Sequence, residues 1–162
     1  MSTNFRAANA VSGNVDGSGI RVGLVCGRWN DHITNRLIEG AENALGSHGV
    51  SEDDVIQVWV PGAYEAPMAA KALVQSGKVD LVVCLGAVIR GETSHYDFVA
   101  GECARGIMDV QLETGVPVIF GVLTTENLEQ ALARSSEEDN KGEECVRTGL
   151  EMVNLLRTIA SK

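Results

Sequence analysis

The feature that most constrains this chain is the run Leu81-Val82-Val83-Cys84-Leu85-Gly86-Ala87-Val88-Ile89, which carries no charge and no polar face. A strand of this kind must be buried on both sides, the situation of an inner strand in a parallel sheet. Arg90-Gly91-Glu92 then breaks the run with a polar turn. Thr93 and Ser94 are good N-cap residues, and apolar positions at Val99, Cys103, Ile107 and Val110 mark the helix that follows. The chain therefore passes from a buried strand through a tight loop into a helix whose start carries His95. Open α/β sheets hold their ligands at the carboxyl ends of parallel strands, and free N–H groups at a helix start attract anions.

The same unit recurs along the chain. Ile20–Cys26 reads as a strand, and Asp31 as the cap of a helix that runs to about Ser47 and stops at Gly49. Val55–Val60 is the next strand. Pro61-Gly62-Ala63 turns, and a helix opens at Tyr64 or Glu65, because Pro67 is tolerated only in a first turn. After the Leu81–Ile89 strand and a helix to about Thr114 comes a strand over Val116–Leu123, where Pro117 marks an edge or a strand start. Thr124–Asn127 caps a short helix ending near Arg134, and Ser135–Asn140 is a polar connector. A last helix spans about Lys141 to Ile159. The order β-α-β-α-β-α-β-α-α demands a parallel sheet, helices on both faces and right-handed crossovers. The class is α/β, a flavodoxin-like three-layer αβα sandwich with a four-stranded parallel sheet. Residues 1–18 read as an N-terminal arm, too polar to form a core of their own, and 19–162 as a single domain without repeat or linker. Such an arm either frays or docks on a neighbouring subunit.

Composition removes several function classes. A net charge of −9 without any Lys/Arg cluster argues against a nucleic-acid grip. No stretch approaches the ~20 apolar residues of a membrane span, and residues 1–19 lack the apolar centre of a signal peptide. Cys26, Cys84, Cys103 and Cys145 form no CxxC pair and no zinc-type spacing; Cys26 and Cys84 read as small buried hydrophobes. The expectation is a reduced, cytoplasmic protein with no metal and no cofactor.

At the strand ends the sequence gathers Trp29 and Asn30, then Ala63, Tyr64 and Glu65, then Ala87, Val88, Ile89 and the loop to His95, and lastly Phe120. Aromatic rings, an acid, a histidine and a glycine turn suit a flat polar heterocycle and an anion. Each residue has a plainer reading. Trp29 could pack beneath its helix, Glu65 could be a solvated capping acid, and His95 alone reads more readily as a structural cap than as a catalyst. No GxGxxG or GxxxxGK[ST] motif is present, which removes the usual support for dinucleotide or P-loop binding.

Longer words narrow the choice. Arg28–Thr34, Val60–Pro67, Gly86–Asp97, Phe120–Asn127 and Asn140-Lys141-Gly142 together resemble the lumazine synthase family, in order and with near-family spacing over about residues 20–157. The resemblance implies condensation of 5-amino-6-(D-ribitylamino)uracil with 3,4-dihydroxy-2-butanone 4-phosphate to 6,7-dimethyl-8-ribityllumazine, the precursor of riboflavin. Neither metal nor cofactor takes part. It implies Trp29 stacked on the pyrimidine, Ala63, Tyr64 and Glu65 on the ribityl chain, and backbone of Ala87, Val88 and Ile89 on the pyrimidine edge. It implies Glu92 and Thr93 beside the phosphate, with the Glu92 side chain turned away from that anion. His95 would move protons, Phe120 would stand across the pocket, and Arg134 and Lys141 would be cations near the phosphate.

The resemblance further implies a homo-oligomer whose site lies between neighbours, with Phe120 and Arg134 supplied by the adjacent chain and the N-terminal arm extending a neighbour's sheet. Association with riboflavin synthase belongs to the same implication. Some relatives stack pentamers into sixty-subunit shells. Here Ser-Ser-Glu-Glu-Asp stands between Arg134 and Asn140, where shell formers usually carry a Gly/Lys-rich connector one residue longer; a free pentamer is expected. Two rival readings are a non-catalytic flavin- or lumazine-binding relative and a flavodoxin-like electron carrier. The ribityl and pyrimidine motifs have no reason to occur in the carrier.

Overall fold

A computed structural model describes residues 7–162. Its four strands are β1 (Val22–Gly27), β2 (Val55–Val60), β3 (Leu81–Ile89) and β4 (Val118–Thr125). They form one parallel sheet in the order β2-β1-β3-β4. The helices are α1 (Asp31–Ser47), α2 (Ala66–Gln75), α3 (His95–Thr114), α4 (Leu128–Arg134) and α5 (Lys141–Ala160).

Chain direction explains which helix covers which face. From β1 the chain steps to β2 on one side, then returns past β1 to reach β3, and continues outward to β4. Right-handed crossovers in opposite directions must lie on opposite faces. Accordingly, α1 shares one face with α5, around Leu24, Leu37, Leu81, Leu85 and Leu150. Helices α2 and α3 share the other, around Val25, Ala70, Val82, Cys103 and Ile107. This is the flavodoxin-like three-layer sandwich, and β3 is buried through its first seven residues as its composition demands.

Local differences from the sequence reading have physical causes. The cap of α1 is Asn30 rather than Asp31; Asn30 sits at φ 61°, a left-handed conformation that Asn tolerates better than most residues, and Asp31 becomes the first-turn acid. Before α2, Ala63–Glu65 forms a 3-10 turn, so the α-helix proper starts at Ala66 with Pro67 in its first turn. Ser94 caps α3 without a side-chain bond; instead Thr93 Oγ1 accepts from the His95 amide at 3.3 Å. Strand β4 begins after Pro117 and runs two residues further than its apolar pattern, because Thr124 and Thr125 still pair with Val88 and Ile89. Asn127, not the threonines, caps α4, accepting from the Gln130 amide.

Residues 1–6 of the expected arm lie outside the described residues. The segment that follows is fastened to its own chain: Asn154 Nδ2 on α5 donates to Asn14 O at 2.9 Å and Asp16 O at 3.0 Å, and the Gly17 amide donates to His48 O at 2.7 Å.

Candidate active-site cleft

The strand order reverses direction at β1, so the carboxyl ends of β1 and β3 diverge into loops on opposite faces. Open sheets form their ligand crevice at such a switch point. A cleft of about 470 Å³ lies there, lined by Trp29, Asn30, Ala63, Tyr64, Glu65, Ala87, Val88, Ile89, His95, Phe98 and Val99.

Its floor and first wall come from β1 and β2. Beyond Gly27 the parallel ladder continues, with the Arg28 amide donating to Val60 O at 2.9 Å and the Trp29 amide to Pro61 O at 3.0 Å. These bonds hold Trp29 beside the Pro61-Gly62 turn. Its ring lies against Gly62, where a β-carbon would overlap Cε3, yet the residue remains 63% exposed. The ring thus packs closely over a glycine and stays largely open to solvent, an exposed ring rather than a core side chain.

Glu65 closes the same turn. Its Oε2 accepts from the Gly62 amide at 3.1 Å, the reciprocal half of a capping box. Among the described residues no donor meets Oε1, which leaves one carboxylate oxygen for a ligand hydroxyl. The capping and the binding readings of Glu65 are therefore compatible, one per oxygen. Tyr64 stands 57% exposed beside it.

The second wall is β3 and the start of α3. Asn30 Nδ2 donates to Ala87 O at 3.1 Å, tying the β1 loop to the β3 end across the cleft floor. His95 is the first residue of α3, and Phe98 and Val99 follow at i+3 and i+4 on the same side. Phe98 is 66% exposed. The sequence reading noted Asn30 but assigned Phe98 and Val99 no place; the spacing of the three α3 residues was the available signal.

Other expected site residues are not in the cleft of this chain. Glu92 and Thr93 are exposed in the loop between β3 and α3, next to the cleft but not lining it. Phe120 is the third residue of β4, five residues short of its carboxyl end, so it is not at a strand end as expected. At ~3.3 Å per residue it stands roughly 16 Å down the edge strand from the loops. Arg134 ends α4 with Nη1 donating to Gln130 O at 3.1 Å, and the Lys141 ammonium pairs with Glu144 at 2.8 Å and Asp139 at 3.2 Å. Among the described residues the cleft walls carry no Lys or Arg.

The cysteines take no part. Burial pushes the Cys26 and Cys103 thiols up to about 12 and drives Cys84 upward as well. Cys145, also raised by burial to about 11, lies under β4. Among the described residues no cluster of His, Cys, Asp and Glu could hold a metal ion, and no helix is long and apolar enough to cross a membrane.

The parallel sandwich thus gathers an exposed aromatic ring, a free carboxylate oxygen and an imidazole around one strand-end cleft of small-molecule size. A family description, 6,7-dimethyl-8-ribityllumazine synthase, matches residues 19–157 of the chain. The chain belongs to that family.

Proposed function

We propose that this protein is an active lumazine synthase, condensing 5-amino-6-(D-ribitylamino)uracil with 3,4-dihydroxy-2-butanone 4-phosphate. The observation that carries the reading is the meeting of Trp29, Ala63–Glu65, Ala87–Ile89 and His95 in one cleft of a chain that matches this family over 19–157. Trp29 stacks on the pyrimidine, Glu65 Oε1 accepts from ribityl hydroxyls, and the backbone of Ala87, Val88 and Ile89 reads the pyrimidine edge. Tyr64 and Ala63 flank the ribityl chain.

The chemistry needs protons moved more than it needs an electrophile. The pyrimidine amine attacks the ketone and loses water to give an imine; phosphate then leaves, and the ribityl-bearing nitrogen closes the ring with loss of a second water. The His95 imidazole has one nitrogen that can accept a proton and one that can donate it, so it can take and return protons through these steps, worth ~10²–10⁴-fold. Holding the two substrates in contact contributes the other large factor, by making a bimolecular reaction effectively unimolecular. The phosphate sits by the Glu92-Thr93 loop, with the Glu92 carboxylate pointing away.

One chain leaves that phosphate without a cation. Arg134, Lys141 and Phe120 then act from an adjacent copy, with the cleft completed at a subunit boundary. Support comes from the cleft's open side and from the exposed apolar residues Phe98, in the first turn of α3, and Met68, in the first turn of α2. A pentamer is favoured over a sixty-subunit shell because Glu137, Glu138 and Asp139 crowd the connector before α5 with like charge. The setting is cytoplasmic, and any riboflavin synthase partner would consume the product. The test is to mix both substrates with the purified protein and follow fluorescent lumazine and released phosphate in equal amounts. Tight flavin binding without turnover would instead identify the non-catalytic relative.

A further inference from the structure

Arg90 stands outside the cleft, yet it is the most connected side chain beside it. It is the first residue after β3, and its amide donates to Thr125 O at 2.9 Å, prolonging the β3–β4 ladder. Its guanidinium reaches in three directions. Nε donates to Glu126 Oε2 at 2.8 Å, just past the end of β4. Nη1 donates to Asp97 Oδ1 at 3.1 Å, in the first turn of α3. Its central carbon lies 4.2 Å above the centroid of the Tyr96 ring.

Tyr96 and Asp97 are the two residues directly after His95. Between Arg90 and His95 runs the exposed loop Gly91-Glu92-Thr93-Ser94, where Gly91 has open space around it. Within this stretch the short-range bonds are the His95 amide to Thr93 Oγ1 at 3.3 Å and the Asp97 amide to Ser94 O at 3.0 Å. Both act inside the turn, and neither anchors it to the sheet. The His95 ring has no hydrogen-bond partner among the described residues, so its position follows that of the α3 first turn.

We propose that Arg90 is a positioning residue that clamps the first turn of α3, and with it the His95 ring, to the carboxyl ends of β3 and β4. The planar fork suits the task because one rigid group serves Glu126 and Asp97 together while stacking on Tyr96; a lysine ammonium is a single point and cannot do all three. Removing the cation does more than delete bonds. It leaves the Glu126 and Asp97 carboxylates without their shared counter-charge, which frees the first turn of α3 from the end of β4. A displacement near 1 Å at a proton-transferring group costs roughly a hundredfold or less in rate.

The inference rests on the proposed reaction for its catalytic consequence, but the placement of His95 can be read without turnover. Arg90→Gln is expected to lower kcat about 10- to 100-fold while KM for the ribitylaminopyrimidine, bound on the Trp29 side, stays within about twofold; Arg90→Lys should recover part of the loss. In a His95→Asn background, Arg90→Gln should add little, since a ring that is absent cannot be misplaced. The His95 Cε1–H proton signal, assigned by its loss in His95→Asn, should shift in Arg90→Gln. An additive double variant, or an unmoved His95 signal, overturns the proposal. A wild-type protein that makes no lumazine overturns the reaction instead, and the proton signal still decides whether Arg90 places the ring.

Discussion

Gly62→Ala isolates the stacking role of Trp29 from everything else in the fold. At Gly62 the backbone is extended, φ −159° and ψ −173°, so alanine meets no conformational strain there. The new β-carbon would overlap Trp29 Cε3 and stand 2.8 Å from Cζ3. Carbon atoms settle at about 3.5–4.0 Å, so the indole must move by roughly 1 Å or more. Because the residue is 63% exposed, it swings outward rather than forcing the turn apart. Folding should hardly notice: the melting temperature is expected to stay within about 3 °C, equivalent to about 1 kcal/mol for a chain of this length. Binding should notice, because stacking of a base on an aromatic ring contributes about 1–3 kcal/mol. Losing 1–2 kcal/mol of it weakens pyrimidine binding about 5- to 30-fold. Calorimetric titration of the ribitylaminopyrimidine into wild type and variant measures this, with a thermal melt alongside. Unchanged affinity would refute the ring as a platform. A collapse in melting temperature would refute it differently, by making Trp29 a packing residue.

Three further outcomes are expected. His95→Asn should slow lumazine formation ~10²-fold or more through lost proton transfer, with pyrimidine affinity retained; an unchanged rate would leave substrate positioning as the main effect. Arg21 holds the Asp80 carboxylate below its usual range through hydrogen bonds and charge, so folding is favoured by this pair above the ordinary Asp pKa and loses that support as pH falls through the lowered value. Asp80→Asn should therefore lower the melting temperature near pH 7, by an amount that shrinks as pH falls through the lowered Asp80 value; a difference that stays constant on acidification would contradict the linkage. The raised thiols of Cys26, Cys84, Cys103 and Cys145 should resist an aromatic disulfide reagent near pH 8 in the native protein. All 4 should react once the chain is unfolded in guanidinium.

Much of this protein was legible in one dimension. The unbroken apolar run of β3 demanded burial on both faces, and the alternation of strands and helices demanded a parallel sheet with right-handed crossovers. β2, β3 and the ends of α1 and α3 fall where the patterns put them, and the helix ends are set by local chemistry: Gly49 at φ 84° ends α1 and Gly115 at φ 70° ends α3. β4 runs past its apolar pattern at its carboxyl end because Thr124 and Thr125, though polar, pair with Val88 and Ile89; ladder bonds to β3, not hydrophobicity, keep them in the strand.

The site divided along the same line. Residues contributed by strand-end loops, Trp29, Ala63–Glu65, Ala87–Ile89 and His95, could be collected from sequence order alone, since every parallel strand delivers its carboxyl end to the same edge. What sequence could not decide was distance across the fold. Phe120 reads as a strand-end aromatic until the register pairs it with Cys84, well down β4, and only the packed chain shows that Arg134 and Lys141 lie away from their own cleft, turned to Gln130, Asp139 and Glu144. Nor does any motif reveal that Arg90 joins Glu126, Asp97 and Tyr96, because those partners come from the residue after β4 and from the first turn of α3, which meet only when β3 and β4 pair. Periodicity and capping act within a few residues and can be read along the chain. Register, stacking and shared ion pairs act between segments, and only the packed structure decides them.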